Sequence, residues 1–268
     1  MVIPFHDVNP ARRTPWVTRL LIAANVVVFL LTPAVTAVGL GTVAVADLCQ
    51  AEVFFYQYGA VPAELVTNAQ LPRVPTGEAV GGACLLGPPA YEKTPVWSVL
   101  SAMFLHAGWL HLLGNLLFLY VFGNNVEDRF GHVGFLAFYL GAGYVASYGF
   151  ALGFPDTVTP MVGASGAVSG VLGAYLALYP HARVWSLVPV CLFLPLRLPA
   201  WLVLGSWFVL QYLYSIGYGA TDGTVAYLAH VVGFVFGFLV ALPWRRPRPR
   251  APYRPGPPPP RSWGWGGG

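Results

Sequence analysis

Six long apolar stretches dominate this chain, and they leave few folds open to it. They cover about 18–38, 110–126, 133–153, 161–179, 199–216 and 224–242. A hydrocarbon core of roughly 30 Å takes about 20 helical residues to cross. Within that core every backbone N–H and C=O must be bonded inside a helix or a closed barrel. The stretches have the length of helices, so the expected fold class is all-α: a polytopic membrane protein built as a six-helix bundle. Composition agrees, with 56% hydrophobic and only 9% charged residues, where a soluble domain carries about a quarter charged. The many glycines and prolines fit the same class, because membrane helices tolerate both.

Basic residues set the orientation. With the N-terminus inside, twelve of the fourteen Lys and Arg fall in inner connections, and only Arg73 and Lys93 fall outside. That asymmetry predicts cytoplasmic N- and C-termini, which an even number of spans requires. The net charge of +4 then reports topology and attraction to the anionic heads of the lipid bilayer; no nucleic-acid partner is expected.

Three parts are expected: a cytoplasmic N-terminal segment at 1–17, a membrane domain at 18–242, and a tail at 243–268 rich in Arg, Pro and Gly. The tail holds a Pro257–Pro260 run of extended polyproline character, which builds no core. A long outer segment, about 39–96, separates the first two spans. It holds Cys49 and Cys84, whereas Cys191 falls in an inner connection. Extracytoplasmic space is usually oxidising, so a Cys49–Cys84 disulfide is expected, with two free thiols as the alternative.

Polar residues within the spans point to chemistry. Ser165 sits about one turn into the fourth span and His230 about two turns into the sixth, both entered from outside. His111 and Asn115 are four apart, so they share one face of the second span near its outer end. At 1.5 Å rise per residue all four lie in a slab roughly 5 to 10 Å below the outer surface. Taken singly, Ser165 reads as packing, Asn115 as helix–helix glue and His111 as interfacial. Their common depth makes them functional candidates. A serine and a histidine at one level are the minimum equipment of a serine hydrolase in a bilayer, with Ser165 as nucleophile and His230 as base. An apolar setting disfavours imidazolium and keeps such a base neutral. No carboxylate lies within the relevant spans, and Asp156 and Asp222 fall in outer loops. His106, just before the second span, reads as interfacial or structural, and His6, His132 and His181 fall on the inner side.

Glycines add a packing signal. Gly163, Gly166, Gly170 and Gly173 in the fourth stretch, with Gly233 and Gly237 in the sixth, make small faces at helical spacing. Such faces let two helix backbones approach closely, which would bring Ser165 to His230. Glu127 and Arg129, after the second span, read as structural fasteners.

These motifs together resemble the rhomboid intramembrane serine proteases of prokaryotic type. The matching pieces are His111-Leu112-Leu113-Gly114-Asn115, Glu127-Asp128-Arg129-Phe130-Gly131, Gly163-Ala164-Ser165-Gly166 and Ala229-His230-Val231-Val232-Gly233-Phe234-Val235-Phe236-Gly237. The opening Asn9-Pro10-Ala11-Arg12-Arg13-Thr14-Pro15 is similar to the cytoplasmic start of many members. The resemblance covers about Pro10 to Leu242. It implies a Ser165–His230 dyad, with His111 and Asn115 joining the Ser165 backbone N–H in stabilising the oxyanion. It also implies single-span membrane proteins as substrates, cut near the outer end of their helix, and a multi-pass location in the prokaryotic inner membrane. No metal and no cofactor are expected.

Two positions depart from the family pattern. Many members carry Trp-Arg in the first outer loop where Trp97 is followed here by Ser98. Some place an aromatic one turn after the nucleophile, over the catalytic histidine, where this chain has Ser169. Other readings are weaker. A non-catalytic rhomboid-like binding factor usually lacks the dyad. A transporter would line a path across the membrane rather than one depth, and a zinc protease would need His-Glu-x-x-His, which does not occur.

Overall fold

The structure is a computed structural model and describes residues 2–9, 11–33, 44–188, 194–217 and 225–245. The Arg/Pro/Gly-rich tail from residue 246, Cys191 and Asp222 lie outside the described residues. Each expected span contains a helix: α1 (Trp16–Leu31), α5 (Trp109–Phe130), α6 (His132–Gly153), α7 (Ser165–Leu178), α8 (Ala200–Gly217) and α9 (Tyr227–Ala241). Three are long and apolar enough to cross a membrane by themselves: α6, α8, and α9 with the 3₁₀ turn Leu242–Arg245 that follows it. The protein is an integral membrane protein with a mostly helical bundle. The end at which α5, α7 and α9 begin is called upper here, and the other end lower.

The innermost helix is also a short one. At 14 residues α7 is about 21 Å long, yet ten of those residues are buried, so protein rather than lipid surrounds it. Glycine makes this possible. A Cβ on Gly233 would collide with the Gly166 carbonyl oxygen, and one on Gly237 with that of Gly170. On its other face α7 meets α6, where a Cβ on Gly166 or Gly170 would come within 2.7 Å of Ala146 Cβ or 2.6 Å of Ala142 Cβ. Backbone contact of α7 with α9 therefore depends on these glycines. The lower half of the core is filled by Phe122, Phe135, Tyr139, Leu172 and Tyr175, all buried.

The lower end is closed by polar clamps. After Pro15, α1 begins without a capping side chain of its own. The buried Glu127 carboxylate of α5 accepts instead from Val17 N at 2.9 Å, Thr18 N at 2.8 Å and Thr18 Oγ1 at 2.6 Å. A negative group here satisfies orphan N–H groups and complements the helix dipole. Arg129 donates from Nε to the Trp244 carbonyl at 2.7 Å, tying α5 to the turn after α9. A three-stranded antiparallel sheet, order β1-β4-β5, lies alongside: β1 (Ile3–Asp7), β4 (Arg183–Val188) and β5 (Leu194–Pro199). Asp7, at the end of β1, accepts from Asn125 Nδ2 at 2.7 Å and Tyr175 Oη at 2.8 Å. Burial pushes its carboxyl up to about 6, against the opposing pull of the Tyr175 hydrogen bond. The sheet is an addition to the expected all-helical plan.

The segment between α1 and α5 is a folded unit at the upper end. It comprises α2 (Val45–Tyr58), α3 (Pro62–Thr67), the hairpin β2 (Val74–Val80) and β3 (Ala83–Gly87), and α4 (Pro95–Ala102). The hairpin turns on Gly81 and Gly82, at φ 61° and 84°, the tight-turn geometry that glycine adopts without penalty. A Cys49–Cys84 disulfide joins α2 to β3. Lys93 Nζ lies 2.6 Å from Glu64 Oε2, with both side chains almost fully buried, and it also donates to the Tyr56 carbonyl at 2.8 Å. Burial pulls the Lys93 ammonium below its ordinary range, and Glu64 opposes that shift. The unit docks on the bundle through backbone: Ala60 N to Met161 O at 3.0 Å, Met161 N to Ala60 O at 2.7 Å, and Ala63 N to Thr157 O at 3.0 Å. Exposed tryptophans mark both ends, Trp97 and Trp109 above, and Trp16, Trp201 and Trp244 below, as in the aromatic belts of membrane interfaces.

Candidate active site

The upper ends of α7 and α9, with α4, α6 and the loop before α7, line one cleft. Ser165 is the first residue of α7 rather than one turn in, because 161–164 do not join the helix. Met161 is engaged instead in its bridge to Ala60, and Gly163 N donates to the Ala102 carbonyl at 2.8 Å. Gly163 consequently does not pack helix on helix as expected. It stands at φ +120°, and a Cβ there would lie 2.7 Å from the His111 ring. Both the backbone angle and the space demand glycine. The turn it makes aims Ser165 at the cleft.

His230 is the fourth residue of α9, one turn in rather than two. Its Nε2 lies 2.8 Å from Ser165 Oγ, and its Nδ1 lies 2.8 Å from Gln211 Oε1 on α8. Across 65 residues of sequence, the glycine contact of α7 with α9 brings serine and histidine into hydrogen-bonding range. Trp207 of α8 lies beside the imidazole, tilted by 34° at 6.0 Å between centroids, and Tyr227 meets it edge-on at 6.4 Å. With Ser169 in place of an aromatic, the aromatic neighbours of His230 come from α8 and from its own helix. Ser169 Oγ donates instead to the Ser165 carbonyl at 2.6 Å.

His111 and Asn115 occupy the third and seventh positions of α5. One amide hydrogen of Asn115 goes to the His111 carbonyl at 2.8 Å, which leaves its second N–H for another acceptor. His106 is fully buried, and its ring meets that of His111 edge-on at 5.0 Å. Of the two roles expected for it, interfacial or structural, the burial and the contact with His111 fit the structural one. The cleft reaches Ser165 between Met103, Gly143, Met161 and Ala226. N–H groups in the first turn of a helix have no intrahelical acceptor, and the positive end of the α7 dipole points the same way. The arrangement can move a proton between Ser165 and His230 and can receive negative charge beside it.

A rhomboid domain model matches residues 93–247 of this chain. The chain belongs to the rhomboid family. Rhomboid protein 1, mitochondrial, of Saccharomyces cerevisiae is 30% identical over 152 residues, 53% of this chain and 40% of that protein. RHOMBOID-like protein 5 of Arabidopsis thaliana is 30% identical over 175 residues, 65% of this chain and 53% of that protein. Rhomboid protease GluP of Bacillus subtilis is 30% identical over 145 residues, 54% of this chain and 25% of that protein. The chain thus spans about half or less of the length of these relatives. The unit formed by α2, α3 and the β2–β3 hairpin lies before the matched region.

Gln211 and Trp207 were not singled out in the sequence. The signal was there for Gln211, the one amide of its span, where a polar group needs a partner. What it would face was not readable.

Proposed function

We propose that this rhomboid is a serine-type intramembrane endopeptidase with Ser165 as nucleophile and His230 as general base. The observation that carries the reading is the 2.8 Å approach of His230 Nε2 to Ser165 Oγ, where Ser165 lines a cleft. His230 takes the hydroxyl proton as Oγ attacks the substrate carbonyl carbon. The oxyanion is held by the Ser165 backbone N–H with Asn115 and His111. His230 then passes its proton to the leaving amine, and the C–N bond breaks to leave an acyl ester on Ser165. Water, deprotonated by His230, attacks that ester, and the serine recovers its proton. Donors fixed in place before charge develops are worth most in a water-poor site.

The substrates in this reading are single-span membrane proteins. A peptide bond in an intact helix is already hydrogen-bonded and shielded by side chains, so the strand must unwind to reach Ser165. Small or helix-breaking residues near the cut are therefore favoured. We place the chain in a prokaryotic cell membrane with cytoplasmic N- and C-termini, so the cleft opens to the extracytoplasmic side. Co-expression with a single-span model substrate tests this. Wild type should release a fragment cut near the extracytoplasmic end of the helix, and Ser165→Ala should release none. Product from Ser165→Ala, or a cut at the cytoplasmic end, overturns the reading.

A further inference from the structure

Helix α8 is the least embedded of the long helices. Only Ala200, Val203, Leu204 and Gln211 are buried among its 18 residues, and the first three lie in its lower half. In the upper half, the one buried side chain is an amide. Val209, Tyr212 and Leu213 around it are each at least half exposed, so the helix turns hydrocarbon outward and its one amide inward. Burying an amide is costly unless it is bonded. Here the bond goes to the imidazole that faces Ser165.

That contact bears on which imidazole nitrogen carries the proton. Gln211 Oε1 is 2.8 Å from His230 Nδ1. Carbonyl oxygen is an acceptor only, so the pair is attractive when Nδ1 bears hydrogen and repulsive when it bears a lone pair. With the proton on Nδ1, the Nε2 lone pair faces Ser165 Oγ at 2.8 Å and can take the hydroxyl proton. In the other tautomer Nε2 already holds a proton and cannot. We propose that Gln211 is a positioning residue that holds His230 as its Nδ1–H tautomer, the orienting role that a buried carboxylate plays in a Ser-His-Asp triad. The inference rests on the reading of Ser165 and His230 as nucleophile and base. Because Gln211 is neutral, it orients the ring without adding charge. The titratable side chains facing His230 are Ser165 on α7, His111 on α5 and Tyr227 on its own helix. A carboxylate at position 211 would be the one anion among them.

Two variants and a chemical probe test the assignment in the full-length protein in detergent. Gln211→Met keeps the volume and removes the acceptor. It should lower kcat by on the order of 10- to 100-fold, less than the roughly 10⁴ lost when a triad carboxylate becomes an amide, with KM nearly unchanged. Labelling of Ser165 by a fluorophosphonate, which needs no substrate helix, should slow in parallel. Gln211→Glu keeps the acceptor and adds charge that favours imidazolium. It should retain turnover near wild type while the acid limb of the kcat/KM profile moves to higher pH. Wild-type labelling and turnover in folded Gln211→Met would overturn the proposal, as would an acid limb unmoved in Gln211→Glu. If Gln211→Met does not fold, the Gln211→Glu profile decides alone. The activity of wild type against Ser165→Ala tests the underlying dyad separately, so this inference can fail while that reading stands.

Discussion

The two ends of the bundle use buried polar groups in opposite ways. At the lower end the carboxylates are surrounded by donors. Glu127 takes three hydrogen bonds from α1, with His132 Nδ1 2.5 Å away, and Asp7 takes two from α5 and α7. At the upper end, among the described residues, no carboxylate joins the row Gln211–His230–Ser165, and that row ends on a hydroxyl that lines the cleft. Carboxyl groups saturated with donors fasten helices together. A neutral row with one open end can pass a proton. The contrast teaches that burial of polar groups in a membrane protein is not by itself a sign of catalysis; what matters is whether an acceptor position is left for substrate.

The strongest test of this contrast sits at the upper end. Ser165→Ala should abolish cleavage while thermal unfolding of the detergent-solubilised protein stays close to wild type, and His230→Ala should abolish it in a protein that still folds but is less stable, because Gln211 loses its buried partner. The double variant should lose little more than either single one, because the two groups act as a unit. A large fall in stability with residual turnover would reverse the assignment of the two ends.

At the lower end the expected loss is of stability. Glu127→Ala strips the N-terminus of α1 of its acceptors and should cost about 2–4 kcal/mol, the range for breaking a buried hydrogen-bonded charge site. The protein that remains folded should keep the wild-type kcat. Chemical denaturation and single-turnover kinetics on the same samples separate these quantities.

Asn115→Ala is expected to act on rate rather than on fold. Loss of one oxyanion donor costs about 10²–10³ elsewhere, but here backbone N–H and His111 share the charge, so about 10-fold in kcat is expected. A rise in KM at constant kcat would move Asn115 from oxyanion stabilisation to substrate binding.

The smallest effect concerns Asp7. Its folded-state value of about 6 lies above the ordinary 3.8, so the folded protein holds this proton more tightly than the unfolded chain. The stabilisation is therefore complete below about 3.8 and is lost as pH rises through about 6. Asp7→Asn keeps neutral acceptor and removes the titration. Its melting temperature should exceed that of wild type at pH 7.5 by a few degrees at most, on the order of 1 kcal/mol, and the difference should vanish near pH 4. A difference that persists at pH 4 would show that Asp7 does not titrate as its burial implies.

Hydropathy and motif spacing were enough to locate six helices, to single out Ser165 and His230, which lie 2.8 Å apart, and to mark Gly166, Gly170, Gly233 and Gly237 as a close helix contact. These are properties of single segments: length sets span, rise per residue sets depth, and the absence of a side chain sets how near a neighbour can come. The family motifs were legible for the same reason, since each is local. The tertiary structure decided what faces what. Gln211 meets His230 only because α8 is rotated to turn one side chain inward. Ala60 meets Met161 only because the upper unit folds back over the loop before α7, which also shortens that helix and places Ser165 at its first residue. Glu127 caps a helix more than a hundred residues away in sequence. Pairings of this kind depend on the rotation and offset of whole elements, fixed by packing summed over the bundle, and no local pattern of residues records them.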